Sequence, residues 1–189
     1  MAIVITRDRW LPPINLYDMV VLRMKTPTVT DTQAGVPPYA PANMRYWSIC
    51  ENELMSTSVV RCVADNQAAT LDGFATFVIS DPSKRPSNAV LSRWGATWLP
   101  WGALAPHDVI YSFWGAPLTS ESGVFYYGMI LYRQMLADPN FAQSIENIAK
   151  LPITQQREAM GDYWPQIGHC TAAAFEALGA RCSILVGER

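Results

Sequence analysis

Four cysteines carry the most legible chemistry of this sequence. If residues 44–52 and 58–65 pair antiparallel about Ser56, then Cys50 faces Cys62, Ile49 faces Val63 and Glu51 faces Arg61. Opposite positions of an antiparallel pair bring Cβ atoms to roughly 4.5–5.5 Å, close to disulfide reach. The hairpin and the bridge therefore predict each other, and a bridge points to an oxidising compartment. Cys170 and Cys182 flank a second candidate, a helix over Ala172–Leu178. A helix of that length spans about 10 Å, so the tail must fold back before the two sulfurs can meet. Four cysteines allow three pairings, and that second bridge stays open.

The remaining reactive side chains are few. His107 and His169 are the only two histidines. His107-Asp108 has the order of a base and its orienter, yet it lies in a proline-rich connection with no Gly-x-Ser-x-Gly elbow. His169 abuts Cys170 without the C-x-x-C or H-E-x-x-H spacing of a metal site, and reads as a surface histidine beside a structural disulfide. Asp65, Asp72 and Asp81 fall at strand ends, where a glycosidase-like carboxylate pair is conceivable but turn capping is the commoner use. No glycine-rich string reads as a phosphate cradle, and no metal or cofactor is expected. Aromatic content stands out, with seven Trp and eight Tyr. Arg85, Arg93, Trp94, Trp98 and Trp101 are the candidates for stacking on a sugar, a lipid headgroup or a flat pigment. Strand-borne tryptophans more often fill a core.

Positioning these residues takes mostly strands. The run Met19–Met24 reads as a strand between two proline-marked stretches, Leu11-Pro12-Pro13 and Pro37-Pro38-Tyr39-Ala40-Pro41. Residues 1–42 are expected to form an extended arm or edge strand of the same domain. Residues 43–136 supply a sandwich core, with the hairpin, a turn at Asp72-Gly73, a strand at Phe74–Ser80, and further apolar segments at Val90–Leu99, Val109–Trp114 and Val124–Leu136. The last segment also suits helical spacing, through Phe125, Met129, Tyr132 and Leu136, but its Tyr126-Tyr127-Gly128 string favours a strand. In residues 137–189, Asp138 and Pro139 predict the start of an amphipathic helix carrying Phe141, Ile145 and Ile148 on one face, with Glu146 and Lys150 as a pair. A second helix follows Thr154, and a third is capped by Thr171 and stopped by Gly179. The expected fold is an antiparallel β-sandwich of jelly-roll type with short helices in the C-terminal third.

Composition narrows the class. Half of the 189 residues are hydrophobic and 16% are charged, against about 25% in an average soluble domain. Much of the surface is then neutral or apolar, which predicts a protein partner or a homo-oligomer, with residues 10–42 and the Pro100–Pro106 connection as contacts. A net charge of −2 without a basic stripe argues against nucleic acid. No apolar run approaches the ~20 residues of a membrane-crossing helix, which leaves room for a position peripheral to a membrane complex. Met1–Arg7 lacks a secretory n-region and h-region, which conflicts with export unless the signal has been removed, the N-terminus is trimmed, or the start lies inside a longer gene product. A missing N-terminal part is the expectation.

Several strings occur in order: Arg45-Tyr46-Trp47-Ser48-Ile49-Cys50, Cys62-Val63-Ala64-Asp65, Phe77-Val78-Ile79-Ser80 with Arg85-Pro86, Trp98-Leu99-Pro100-Trp101-Gly102, and Leu131-Tyr132-Arg133-Gln134-Met135-Leu136 with Asp138-Pro139 and Phe141-Ala142-Gln143. Together they resemble a family of uncharacterised exported bacterial proteins, over most of residues 18–180. The resemblance implies a secreted or periplasmic β-sandwich and supplies no catalytic residues. A non-catalytic accessory or binding subunit, docked on a cell-envelope or membrane complex, is the preferred expectation. A hydrolase of an envelope glycan or lipid is the alternative.

Overall fold

The apolar runs MVVLRMK and FATFVIS become β2 (Met19–Lys25) and β6 (Phe74–Ser80). They belong to a computed structural model that describes residues 2–6, 19–53, 58–88, 96–100, 104–106, 124–126 and 128–183. The two strands pair antiparallel along their whole length, from Met19 with Ser80 to Lys25 with Phe74. Eleven of their fourteen residues are buried, and near-continuous apolar runs are what a sheet covered on both faces requires. On the other edge of β2 lies β11 (Gln166–Cys170), antiparallel. The other edge of β6 is shared, with β5 (Thr70–Leu71) antiparallel at its first two residues and β7 (Ala96–Pro100) parallel from Thr76 to Ser80. Met19–Met24 is therefore an interior strand and not the edge strand its proline flanks suggest, because its side chains are apolar toward both faces.

A second sheet has the order β1 (Ala2–Thr6), β10 (Gly128–Leu136), β3 (Met44–Glu53), β4 (Val59–Ala64), all antiparallel. The β3–β4 hairpin adopts the expected register, Ile49 to Val63, Cys50 to Cys62 and Glu51 to Arg61, and then slips so that Asn52 faces Val59. A two-stranded ribbon joins β8 (Leu104–Pro106) to β9 (Val124–Tyr126). The segment Val124–Leu136 is strand on both sides of residue 127, and Val109–Trp114 lies outside the described residues. Among the described residues the protein is mainly β, with a few short helices in its C-terminal part.

One core fills the space between the sheets. Trp47 and Ile49 from β3, Val63 from β4 and Tyr132 from β10 meet Leu22, Phe77 and Leu99 from the other sheet. Trp47 sits edge-on to Phe77 at 6.3 Å and to Tyr132 at 6.5 Å between ring centroids, and each such burial is worth about 1.5–3 kcal/mol. A separate cluster covers the outer face of the β2–β6 sheet, where Met19, Val21, Val78 and Ala96 pack on Phe175 and on Cys170 and Cys182.

The three described helices are α1 (Ile145–Ile148), α2 (Ile153–Met160) and α3 (Ala172–Leu178). The helix expected from Pro139 begins six residues later. Asp138 closes a local turn by accepting from the Asn140 N–H at 2.9 Å, whereas Ser144 is the true cap, accepting from Asn147 N–H at 3.1 Å. Gln134 on β10 takes the Ile145 N–H at 2.8 Å, so tertiary contact fixes the start. Lys150 accordingly donates to Asn147 at 2.7 Å and not to Glu146. Helix α3 is capped by Thr171 and ended by Gly179 at φ 60°, as its sequence predicts.

Candidate interaction surface

The proline-rich stretch before β3 is a built loop. Thr28 and Asn43 close its neck: the Thr28 N–H and hydroxyl donate to Asn43 Oδ1 at 3.1 and 2.8 Å, and the Asn43 N–H donates to Thr28 Oγ1 at 2.9 Å. Asp31 turns the chain by accepting from Ala34 N–H at 3.0 Å, and its carbonyl accepts from Val36 N–H at 3.1 Å. Gly35 stands at φ 81° between them, a conformation only glycine takes without strain. Arg45 clamps the far side, its Nη1 donating to Thr30 Oγ1 at 3.1 Å, to the Ala40 carbonyl at 3.2 Å and to the Pro38 carbonyl. The Arg45 guanidinium also lies 5.7 Å from the Tyr39 ring centroid. Tyr39 is nonetheless 88% exposed. On the outer face of the β1–β10–β3–β4 sheet, Tyr46 and its register partner Met135 are exposed as well, at 38% and 59%.

Of the stacking residues read from sequence, Arg85 and Trp98 are brought together, and Arg93, Trp94 and Trp101 lie outside the described residues. Trp98 uses its polar edge to donate from Nε1 to Ser80 Oγ at 3.0 Å, and it packs partly on the outer core. The Arg85 guanidinium covers one ring face at 4.5 Å from the centroid. The turn that carries Arg85 is stapled to α3, because Ser87 N–H and hydroxyl both donate to Glu176 Oε1 at 2.8 Å and Asn88 donates to the Glu176 carbonyl at 3.1 Å. Those two Ser87 bonds hold the Glu176 carboxyl below its usual range. The arrangement braces the molecule more than it offers a bare aromatic face.

Of the acidic candidates, Asp81 takes the capping role that turn chemistry gives it, whereas Asp65 bonds a residue distant in sequence on β3. Asp81 accepts from Ser83 N–H at 2.7 Å and from its hydroxyl at 2.6 Å, Asp72 sits in the β5–β6 turn at φ 52°, and Asp65 accepts from Trp47 N–H at 3.0 Å. His169 is half-buried on β11, opposite Val20. His107 and Asp108 lie outside the described residues. Among the described residues no three His, Cys, Asp or Glu side chains cluster as metal ligands would.

The expected Cys50–Cys62 bridge is formed, and so is the second one, which the sequence left open. Cys50 joins Cys62 across β3 and β4 with Cα atoms 4.0 Å apart, and Cys170 joins Cys182 at 5.9 Å, which leaves no cysteine free. The chain folds back after α3 through a 3₁₀ turn, Gly179–Ser183, and this closes the second bridge.

Compared with family models, with curated proteins and with solved structures, the chain matches none.

One residue of chemical interest escapes the motif reading. Glu51 is fully buried, and neither of its carboxylate oxygens has a hydrogen-bond partner. Burial alone raises its pKa to about 8. The signal was present in the alternation, since Trp47, Ile49 and Glu51 share one parity along β3 and the first two point into the core. Tyr132 is its counterpart on β10. Its hydroxyl is also buried and without a hydrogen bond of standard geometry, and burial pushes it above the ordinary phenol range, with Gln134 opposing and Tyr163 adding.

Proposed function

We propose that this protein is a non-catalytic accessory or binding subunit of an oxidising compartment, secreted or periplasmic, that docks on another protein of a cell-envelope or membrane complex. The observation that carries the reading is Tyr39, presented almost fully exposed on a loop fixed by Arg45, Asn43 and Asp31. Tyrosine supplies a large, stiff, amphipathic contact at low entropic cost, and a loop already held in place loses little further freedom on binding. Pairing of all four cysteines fits a compartment where disulfides persist. The resemblance to exported bacterial proteins belongs to the same reading.

In architecture we read the two sheets and their shared core as a β-sandwich of jelly-roll type. Its support is the path of the chain, which passes from one sheet to the other between β1 and β2, between β2 and β3, between β4 and β5, by way of the β8–β9 ribbon between β7 and β10, and between β10 and β11. The parallel β6–β7 pair is a departure from that pattern.

Support for a binding role over a hydrolase comes from Asp81, whose carboxylate is engaged in capping. Isolation of the protein from its own cells, with wild type and a Tyr39→Ala variant side by side, tests the proposal. A specific protein partner should accompany the wild type and be lost from the variant. A protein that arrives alone in both cases, or turns over an ester or glycoside, refutes it.

A further inference from the structure

A groove of about 420 Å3 opens at the end of α2, lined by Thr154, Arg157, Glu158, Gly161, Trp164 and Gln166. Its wall follows from helical spacing, since positions 154, 157, 158 and 161 recur at three and four residues and so share one side of α2. Gly161 ends the helix at φ 55°, its N–H directed to the Arg157 and Glu158 carbonyls. A side chain at Gly161 would meet nothing within 4 Å, so open space lies over this stretch of backbone. The Gly161 carbonyl then accepts from Trp164 N–H at 2.9 Å, and that turn brings the indole back toward the groove. Trp164 is half-buried because it also packs on the core between the sheets. Gln166 opens β11 and is exposed.

The lining has a distinct chemistry. One anchored indole sits among a guanidinium, a carboxylate, a carboxamide and a hydroxyl, all four exposed. Arg157 and Glu158 cancel in formal charge, and the C-terminal end of a helix carries a partial negative charge, which disfavours phosphates and other anions. A ligand suited to this groove is neutral, both donates and accepts many hydrogen bonds, and has one apolar face for an aromatic ring. A sugar ring has all of these properties, and the volume lies within the usual range of small-molecule sites.

We propose that this groove binds a neutral saccharide, with a pyranose ring on Trp164 and its hydroxyls bonded by Arg157, Glu158 and Gln166. The site is separate from the Tyr39 loop and does not depend on that loop binding a protein.

The test is an NMR titration of the full chain with glucose, galactose, mannose, N-acetylglucosamine and its β-1,4-linked disaccharide, with inorganic phosphate as the charged comparison. Saturable shifts of the Gly161 and Gln166 amides and the Trp164 indole are expected with at least one saccharide and not with phosphate. Trp164 also supports the core, so the variant of choice is the surface pair Glu158→Gln with Gln166→Ala. That variant should keep the native spectrum and bind the same saccharide at least tenfold more weakly. Absence of saturable shifts with every sugar, a response to phosphate alone, or unchanged affinity in the double variant would overturn the assignment.

Discussion

Glu51 and Arg61 stand directly opposite each other on β3 and β4, yet they make no ion pair. Arg61 lies on the edge strand and stays in solvent, whereas the Glu51 carboxyl is wholly buried. Its facing neighbour on β10 is Ile130, and the core residues of the opposite sheet are apolar. Neutrality is then the low-energy state of this carboxyl.

A pH dependence follows with a definite sign. The folded pKa of about 8 lies above the ordinary 4.5, so the native state holds a proton that the unfolded chain releases. The contribution of Glu51 to stability is therefore fully present below pH 4.5, falls by up to ~1.4 kcal/mol per pH unit as pH rises toward 8, and levels off above that. Glu51→Gln, neutral and nearly isosteric, should abolish this slope and raise stability at alkaline pH. Thermal melts of both proteins across the interval check it, and parallel profiles would show that Glu51 does not titrate in this way.

The two disulfides should act independently. Cys50 has the opposite parity to the inward Ile49, which places its bridge on the outer face of one sheet, while Cys170–Cys182 packs on the outer face of the other. Each closes a loop with a sequence separation of 12, for which loss costs about 2–4 kcal/mol. Denaturant midpoints of Cys50→Ser/Cys62→Ser, of Cys170→Ser/Cys182→Ser and of the fourfold variant should show additive losses. Non-additivity well beyond ~0.5 kcal/mol would mean that the two faces are coupled.

Trp98 is expected to behave as a brace. Arg85→Ala uncovers one ring face and should cost ~0.5–1 kcal/mol with a red shift of tryptophan emission. Ser80→Ala removes the acceptor of the indole N–H and should cost about 1 kcal/mol. Urea titrations of both variants check this, and two neutral results would show that the stack contributes no stability.

Much of this was legible locally. The β3–β4 register was readable because a disulfide, an apolar pair and a charge pair all demanded the same alignment, and the Thr171 and Gly179 ends of α3 were written in capping chemistry. Long-range pairing was not. Nothing in Ala96–Pro100 announces that it runs parallel to β6, and nothing in Asp138-Pro139 shows that Gln134, on a strand, will take the Ile145 N–H and move the helix start to Ser144. The charge pair itself misled in one respect, since correct register does not guarantee contact when one partner sits at an edge and the other faces the core. Arg85 and Trp98 meet each other, but their mutual stacking and the Ser80 bond depend on a parallel strand that local pattern does not reveal.

The most direct measurement places a photoreactive phenylalanine analogue at position 39 in the full chain, expressed in the cells it comes from. Leu71, at the exposed β5–β6 turn, serves as the comparison position. Irradiation should give one discrete adduct with another protein from position 39 and none from position 71. No adduct at position 39, or the same diffuse products from both positions, would contradict the docking role assigned to this loop.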